Sequence, residues 1–158
     1  RGRHKDINWE DVALHFVIFQ GATLDFQGSA DPGGVLAVKV EFKTYNDTFG
    51  HVAGDVVLQK TAEIIRNSIR LVDIAGRYGG EEFVIILPGT KEEGAVAVAE
   101  RIWKSVETYP FPHRRVTVSL GVASAKRNDS VDSLFARADQ ACYQAKRQGK
   151  NRFCLDPS

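Results

Sequence analysis

The 158-residue chain contains no methionine, two cysteines and five prolines, and its 21 basic side chains nearly cancel its 20 acidic ones. Each shortage excludes something. Cys142 and Cys154 are too few for a disulfide-dense scaffold, and within patterned segments they read as small core residues of a reducing, cytoplasmic compartment. A net charge of +1 gives no bulk attraction for nucleic acid or for an anionic membrane. No apolar run approaches the length of a membrane span, and the opening residues lack the pattern of a signal peptide. A chain that starts at Arg1 and has no methionine is expected to be a piece of a larger protein. What is present, 43% hydrophobic residues, suffices for one domain with its own core.

Residues 1–34 are expected to be an irregular or divergent segment of that same domain. Trp9 to Phe19 is apolar enough to pack, and Gly21 to Gly34 reads as a loop. From Val35 to Phe42 the residues alternate, with Leu36, Val38, Val40 and Phe42 on one face and Ala37, Lys39 and Glu41 on a wet one. A short polar turn or helix through Asn46 and Gly50 leads into a helix over about 52–69. Asp73 to Tyr78 and Glu82 to Leu87 predict a hairpin, and Lys91 to Thr108 an amphipathic helix ended by Pro110 and Pro112. Arg115 to Ala125 alternates as a strand. Ser130 is the expected cap of a last helix that Gly149 stops, and Arg152 to Leu155 closes the sheet. The order β-α-α-β-β-α-β-α-β predicts an α+β fold, a mostly antiparallel sheet of about five strands with helices packed over it.

The focus is Arg77 to Pro88, where Gly79 and Gly80 precede Glu81 and Glu82 and the apolar run from Val84 to Ile86. Paired glycines allow a tight turn and positive φ. Two carboxylates at such a turn serve stability poorly, although a solvated acidic hairpin is the local reading.

Gly79-Gly80-Glu81-Glu82-Phe83 after Arg77-Tyr78 resembles the signature of the GGDEF family, the bacterial diguanylate cyclases. Two further blocks share the family's order and spacing: Phe42-Lys43 with Asn46-Asp47-Thr48-Phe49-Gly50-His51 and Gly54-Asp55, and Ala138-Asp139 through Tyr143, Ala145-Lys146 and Gly149-Lys150-Asn151-Arg152. The resemblance covers about residues 35–155, so the segment 35–158 is expected to be a GGDEF domain with the palm-like fold of nucleotide cyclases. The family's opening Asp-x-Leu-Thr-x-Leu-x-Asn-Arg segment has no match here.

The resemblance implies condensation of two GTP molecules into cyclic di-GMP, with Mg²⁺ or Mn²⁺ and across two facing domains, so that the partners are GTP, cyclic di-GMP, a second GGDEF domain and a regulatory or sensory domain. It implies Glu81 as a metal ligand and Glu82 near the attacking 3′-hydroxyl, both catalytic. Gly79 and Gly80 would admit the nucleotide closely. Asn46 and Asp55 would read guanine, whose N1–H and N2–H₂ suit a carboxylate. Lys146 and Lys150 would meet the β- and γ-phosphates, both near a helix end, with the backbone at Phe42 and Lys43 cradling them. Each has a plainer reading: Asp55 as a first-turn acid, Asn46 as turn chemistry, the lysines as helix-end cations.

One departure stands out. Counting back from Phe42-Lys43, the family's metal-binding aspartate falls on Val38 and its second aspartate on Val40. Valine offers a hard cation no oxygen. Glu41 and Lys39 leave by the other face, and Lys39 reads as solvent-facing. Arg70 and Asp73 fit the family's Arg-x-x-Asp inhibitory motif, which grips cyclic di-GMP; the plainer reading is a helix-end salt bridge. Three functions are therefore expected in turn: a guanine-nucleotide-binding domain with weak or absent cyclase activity, an active diguanylate cyclase, or a ligand-free dimerisation module.

Overall fold

The computed structural model describes residues 33–157 other than 78, 128 and 130. The expectations for residues 1–32 and the Ser130 cap lie outside the described residues. Nine elements follow in the expected order: β1 (Gly34–Glu41), α1 (Lys43–Phe49), α2 (His51–Ser68), β2 (Ile74–Arg77), β3 (Glu82–Leu87), α3 (Glu92–Thr108), β4 (Thr117–Ser124), α4 (Val131–Arg147) and β5 (Arg152–Leu155). The five strands form one sheet in the order β2-β3-β1-β4-β5, antiparallel except for the β4–β5 pair. This is the expected α+β fold. No helix among the described residues is long and apolar enough to cross a membrane.

The central strand β1 is buried on both faces. Leu36, Val38 and Val40 join Phe83, Ile85, Leu87, Val118 and Leu120 in a core shared with Val57 and Ile65 of α2 and Ile102 of α3. Val35 and Ala37 enter a second core with Val84, Ile86 and Leu134, Ala138 and Cys142 of α4. The face expected to be wet is therefore wet only at its end, where Lys39 and Glu41 run out from beneath α4. Alternation reveals that a strand has two faces, and the helix that covers one of them comes from a distant part of the chain, Val131–Arg147.

Candidate functional site

Lys39 is paired with Glu82 across the β1–β3 ladder and with Ser119 across β1–β4, and both ladders run without a bulge through residue 39. Strand parity then decides which side chains meet. Val38, opposite Phe83, is 1% exposed in the apolar core. The family's aspartate position, counted to Val38, thus lies on the face away from the hairpin acids. Lys39 instead faces them: its Nζ lies 3.5 Å from Glu81 Oε2 and 3.5 Å from Glu82 Oε2. The solvent-facing reading of Lys39 is corrected accordingly. Burial works against its charge, but attraction from Glu81 and Glu82 more than offsets this, and its pKa lies above the usual lysine value.

Glu41, set aside above for leaving by the face opposite Val38, shares the cleft face with Lys39. It is already engaged: Ser119 donates its hydroxyl to Glu41 Oε2 at 2.9 Å, and Lys150 Nζ lies 3.9 Å from Oε1. Lys39, Glu82 and α4 residues Asp139, Cys142, Tyr143 and Lys146 line a cleft of about 250 Å³. Burial pushes the Cys142 thiol up to about 12, so it stays protonated and is no nucleophile at neutral pH.

Lys146 and Lys150 do not share a helix face. The helix α4 ends at Arg147, and after Gly149 the backbone of Lys150 and Asn151 takes φ of 64° and 51°. Lys150 reaches Glu41 from this left-handed turn, where its N–H donates to the Ala145 carbonyl at 3.0 Å. Asn151 fastens the turn to α3: Trp103 Nε1 donates to its Oδ1 at 2.8 Å, and its Nδ2 donates to Glu107 Oε2 at 2.8 Å. Sequence reasoning gave Asn151 no role, since neither partner is near it in the chain.

Gly79 and Gly80 take no positive φ, contrary to expectation. A Cβ on Gly79 would stand 2.8 Å from Glu82 Oε1, the movable end of a side chain, so the Glu82 carboxylate lies over this glycine. The hairpin acids are about one-third exposed, at 32% for Glu81 and 35% for Glu82.

On the other side of β1, Tyr45 anchors α1 by burying its ring edge-on to Phe49 and donating its hydroxyl to the Pro112 carbonyl. That turns Asn46 towards the first turn of α2. A Cβ on Gly54 would fall 2.3 Å from Asn46 Oδ1, so the carboxamide rests directly on the backbone beside Asp55. Asn46 Nδ2 lies 3.1 Å from His51 Nδ1. Lys43 is exposed, and the Phe42 N–H donates to the Val40 carbonyl at 3.1 Å.

Arg70 and Asp73 meet as an ion pair. The guanidinium donates Nη2 to Asp73 Oδ1 at 2.8 Å and Nε to Oδ2 at 3.2 Å, and the Arg70 backbone N–H donates to Oδ2 at 2.8 Å. Nη2 also reaches the Pro88 carbonyl and Thr90 Oγ1, each at 2.9 Å. The Asp73 side chain is 1% exposed and that of Arg70 57%.

The hairpin does not fit a divalent ion. Hard cations of this kind take several oxygen ligands. Here the two carboxylates already share an ammonium, and no group of three or more His, Cys, Asp or Glu among the described residues is placed to hold a metal.

The family model described as "Diguanylate cyclase, GGDEF domain" matches residues 22–152. Diguanylate cyclase A of Treponema denticola is 46% identical over 127 residues, covering 77% of this chain and 34% of that protein. The response regulator PleD of Caulobacter vibrioides is 44% identical over 129 residues, covering 77% of this chain and 28% of that protein. The chain thus spans about a third of the length of these curated relatives. Among solved structures, the active GGEEF domain of a diguanylate cyclase from Vibrio cholerae superposes with a TM-score of 0.83 at 33% identity, covering 95% of this chain and 94% of that one. The GGDEF domain of DgcB from Caulobacter crescentus, in complex with c-di-GMP, gives 0.83 at 30% identity, covering 92% and 90%. The chain belongs to the GGDEF domain family of diguanylate cyclases.

Proposed function

We propose that this domain binds guanine nucleotide in bacterial cyclic di-GMP signalling and has weak or no cyclase activity. Asn46, whose carboxamide lies against Gly54, and Asp55, the residue after Gly54, receive the guanine edge. A carboxylate accepts from both N1–H and N2–H₂, which adenine does not offer as a pair. Lys146 and Lys150 take the phosphates as point charges, and Glu82 lies towards the ribose hydroxyl. Cyclisation requires each 3′-hydroxyl to attack the α-phosphate of a second GTP on a facing domain, with strong neutralisation of the developing charge. The observation that carries the reading is Lys39 beside Glu81 and Glu82, on the strand where a metal-holding acid would be required.

Calorimetry with GTP and a product assay test this together: binding is expected, with no cyclic di-GMP detected from GTP with Mg²⁺ or Mn²⁺. Robust turnover would establish the alternative, a working synthase. That alternative draws support from the active Vibrio cholerae domain, which is named for the same GGEEF signature. Absence of any nucleotide binding would leave the dimerisation module.

A second ligand position is proposed at Arg70 and Asp73, supported by the half-exposed guanidinium on a buried carboxylate and by the c-di-GMP complex of the DgcB relative. Binding there needs Arg70 to exchange the Pro88 and Thr90 acceptors for a phosphate. Calorimetry should show cyclic di-GMP binding at least about tenfold weaker in Arg70→Ala. Equal affinities in the two proteins remove the site.

A further inference from the structure

Glu81 and Glu82 stand side by side at the head of β3, and two adjacent carboxylates repel each other and any polyphosphate beside them unless a cation lies between. One already does. Lys39 Nζ is 3.5 Å from an oxygen of each, and its strand position is set by unbroken pairing with β3 on one side and β4 on the other. The sheet, rather than a loop, therefore fixes the charge. The Lys39 side chain is 24% exposed and so lies largely within the cleft, beside both acids. A divalent ion brought between these acids would meet a fixed like charge at close range.

We propose that Lys39 is the resident cation of this site: its ammonium takes the divalent ion's place between Glu81 and Glu82, so that guanine nucleotide binds without metal. The idea rests on the nucleotide-binding reading given above. An ammonium brings one positive charge and up to three N–H donors to phosphate oxygens. It offers no coordination position at which a phosphoryl oxygen or hydroxyl can be activated. The cleft is then a holding site for a triphosphate, with Lys39 lining it from the sheet and Lys146 from α4.

Two measurements on the wild type, Lys39→Ala and Lys39→Asp test it. Uptake of Mn²⁺ is followed through the free-ion paramagnetic resonance signal, and GTP affinity is measured by calorimetry in Mg²⁺ or EDTA. Thermal unfolding confirms that each variant is folded. The wild type should leave Mn²⁺ free and bind GTP within about twofold equally in both buffers. Lys39→Asp should take up Mn²⁺ and need metal for GTP by about tenfold or more, and Lys39→Ala should lose about tenfold in EDTA. Mn²⁺ bound by the wild type, or wild-type GTP affinity that collapses in EDTA, overturns the proposal. If no form binds GTP, the nucleotide reading fails and metal-free binding with it. The Mn²⁺ measurement then still upholds or overturns exclusion of the ion by Lys39. Should Lys39→Asp not fold, the wild type and Lys39→Ala decide both points.

Discussion

Replacing Arg137 with alanine should lower stability by about 3 kcal/mol at neutral pH, visible as a fall of about 6–12 °C in Tm. Arg137 projects from α4 into a pocket of acids. Nη1 donates to Asp156 Oδ2 at 2.6 Å, and Nη2 pairs with Asp129 and reaches the Ser124 carbonyl at 3.0 Å. The side chains are 19% exposed for Arg137, 11% for Asp129 and 10% for Asp156, so removing the guanidinium strands two carboxylates with little access to water. The same change frees α4 from the loop before it and from the segment after β5, and α4 carries the Asp139, Tyr143 and Lys146 wall of the cleft. Nucleotide affinity should fall along with stability. Burial raises the Asp129 carboxyl, but Ser133, the Lys126 N–H and Arg137 outweigh it, and the folded pKa lies below the ordinary value. A depressed carboxylate stabilises above its unfolded pKa, near about 4, and loses that contribution as pH falls through the folded value. Urea unfolding should therefore show the gap between wild type and Arg137→Ala shrinking below about pH 4. A gap that stays constant or widens there would mean that the ionised carboxylates are not the source of the lost stability.

The residues of the fold carried much of this in advance, for reasons that differ by element. The order of strands and helices follows from periodicity, because apolar spacing within one segment is a local property. The region from Asp73 to Leu87 was legible because a short polar turn between two apolar runs has few alternatives. The site was less so. Counting from Phe42-Lys43 placed the missing acid at Val38, yet the register opposes Lys39, not Val38, to Glu82. A one-residue offset on a strand exchanges faces, and sequence spacing alone does not fix it. The sequence places Lys146 and Lys150 together near a helix end; the helix ends at Arg147, and Lys150 sits beyond it in a left-handed turn whose path the sequence does not carry. Gly149 signalled the end of the helix but not the direction taken beyond it. The clasp of Asn151 on Trp103 and Glu107 joins elements more than forty residues apart, and no local pattern carries it.

Gly121→Ala should be at least as damaging, at about 3 kcal/mol or more, because the added methyl group has nowhere to go. Gly121 lies in β4 directly beneath α4, and a Cβ there would stand 2.0 Å from the Ala138 carbonyl oxygen, 2.2 Å from the Cys142 nitrogen and 2.8 Å from the Ala141 carbonyl carbon. All three are backbone atoms of a helix, so no rotamer change relieves the clash, and the helix must lift off the sheet. Lifting opens the core of Val35, Ala37, Val84, Ile86, Leu134 and Ala138. It also draws Lys146 and Asp139 away from Lys39 and Glu82. Two outcomes are expected together: a Tm lowered by about 6 °C or more, and GTP affinity reduced in whatever fraction remains folded. The matched control is Gly80→Ala, since a Cβ there meets nothing within 4 Å and should leave stability nearly unchanged. If Gly121→Ala unfolds at the wild-type temperature, the helix is not seated on the strand as closely as described, and the cleft loses the contact that sets its width.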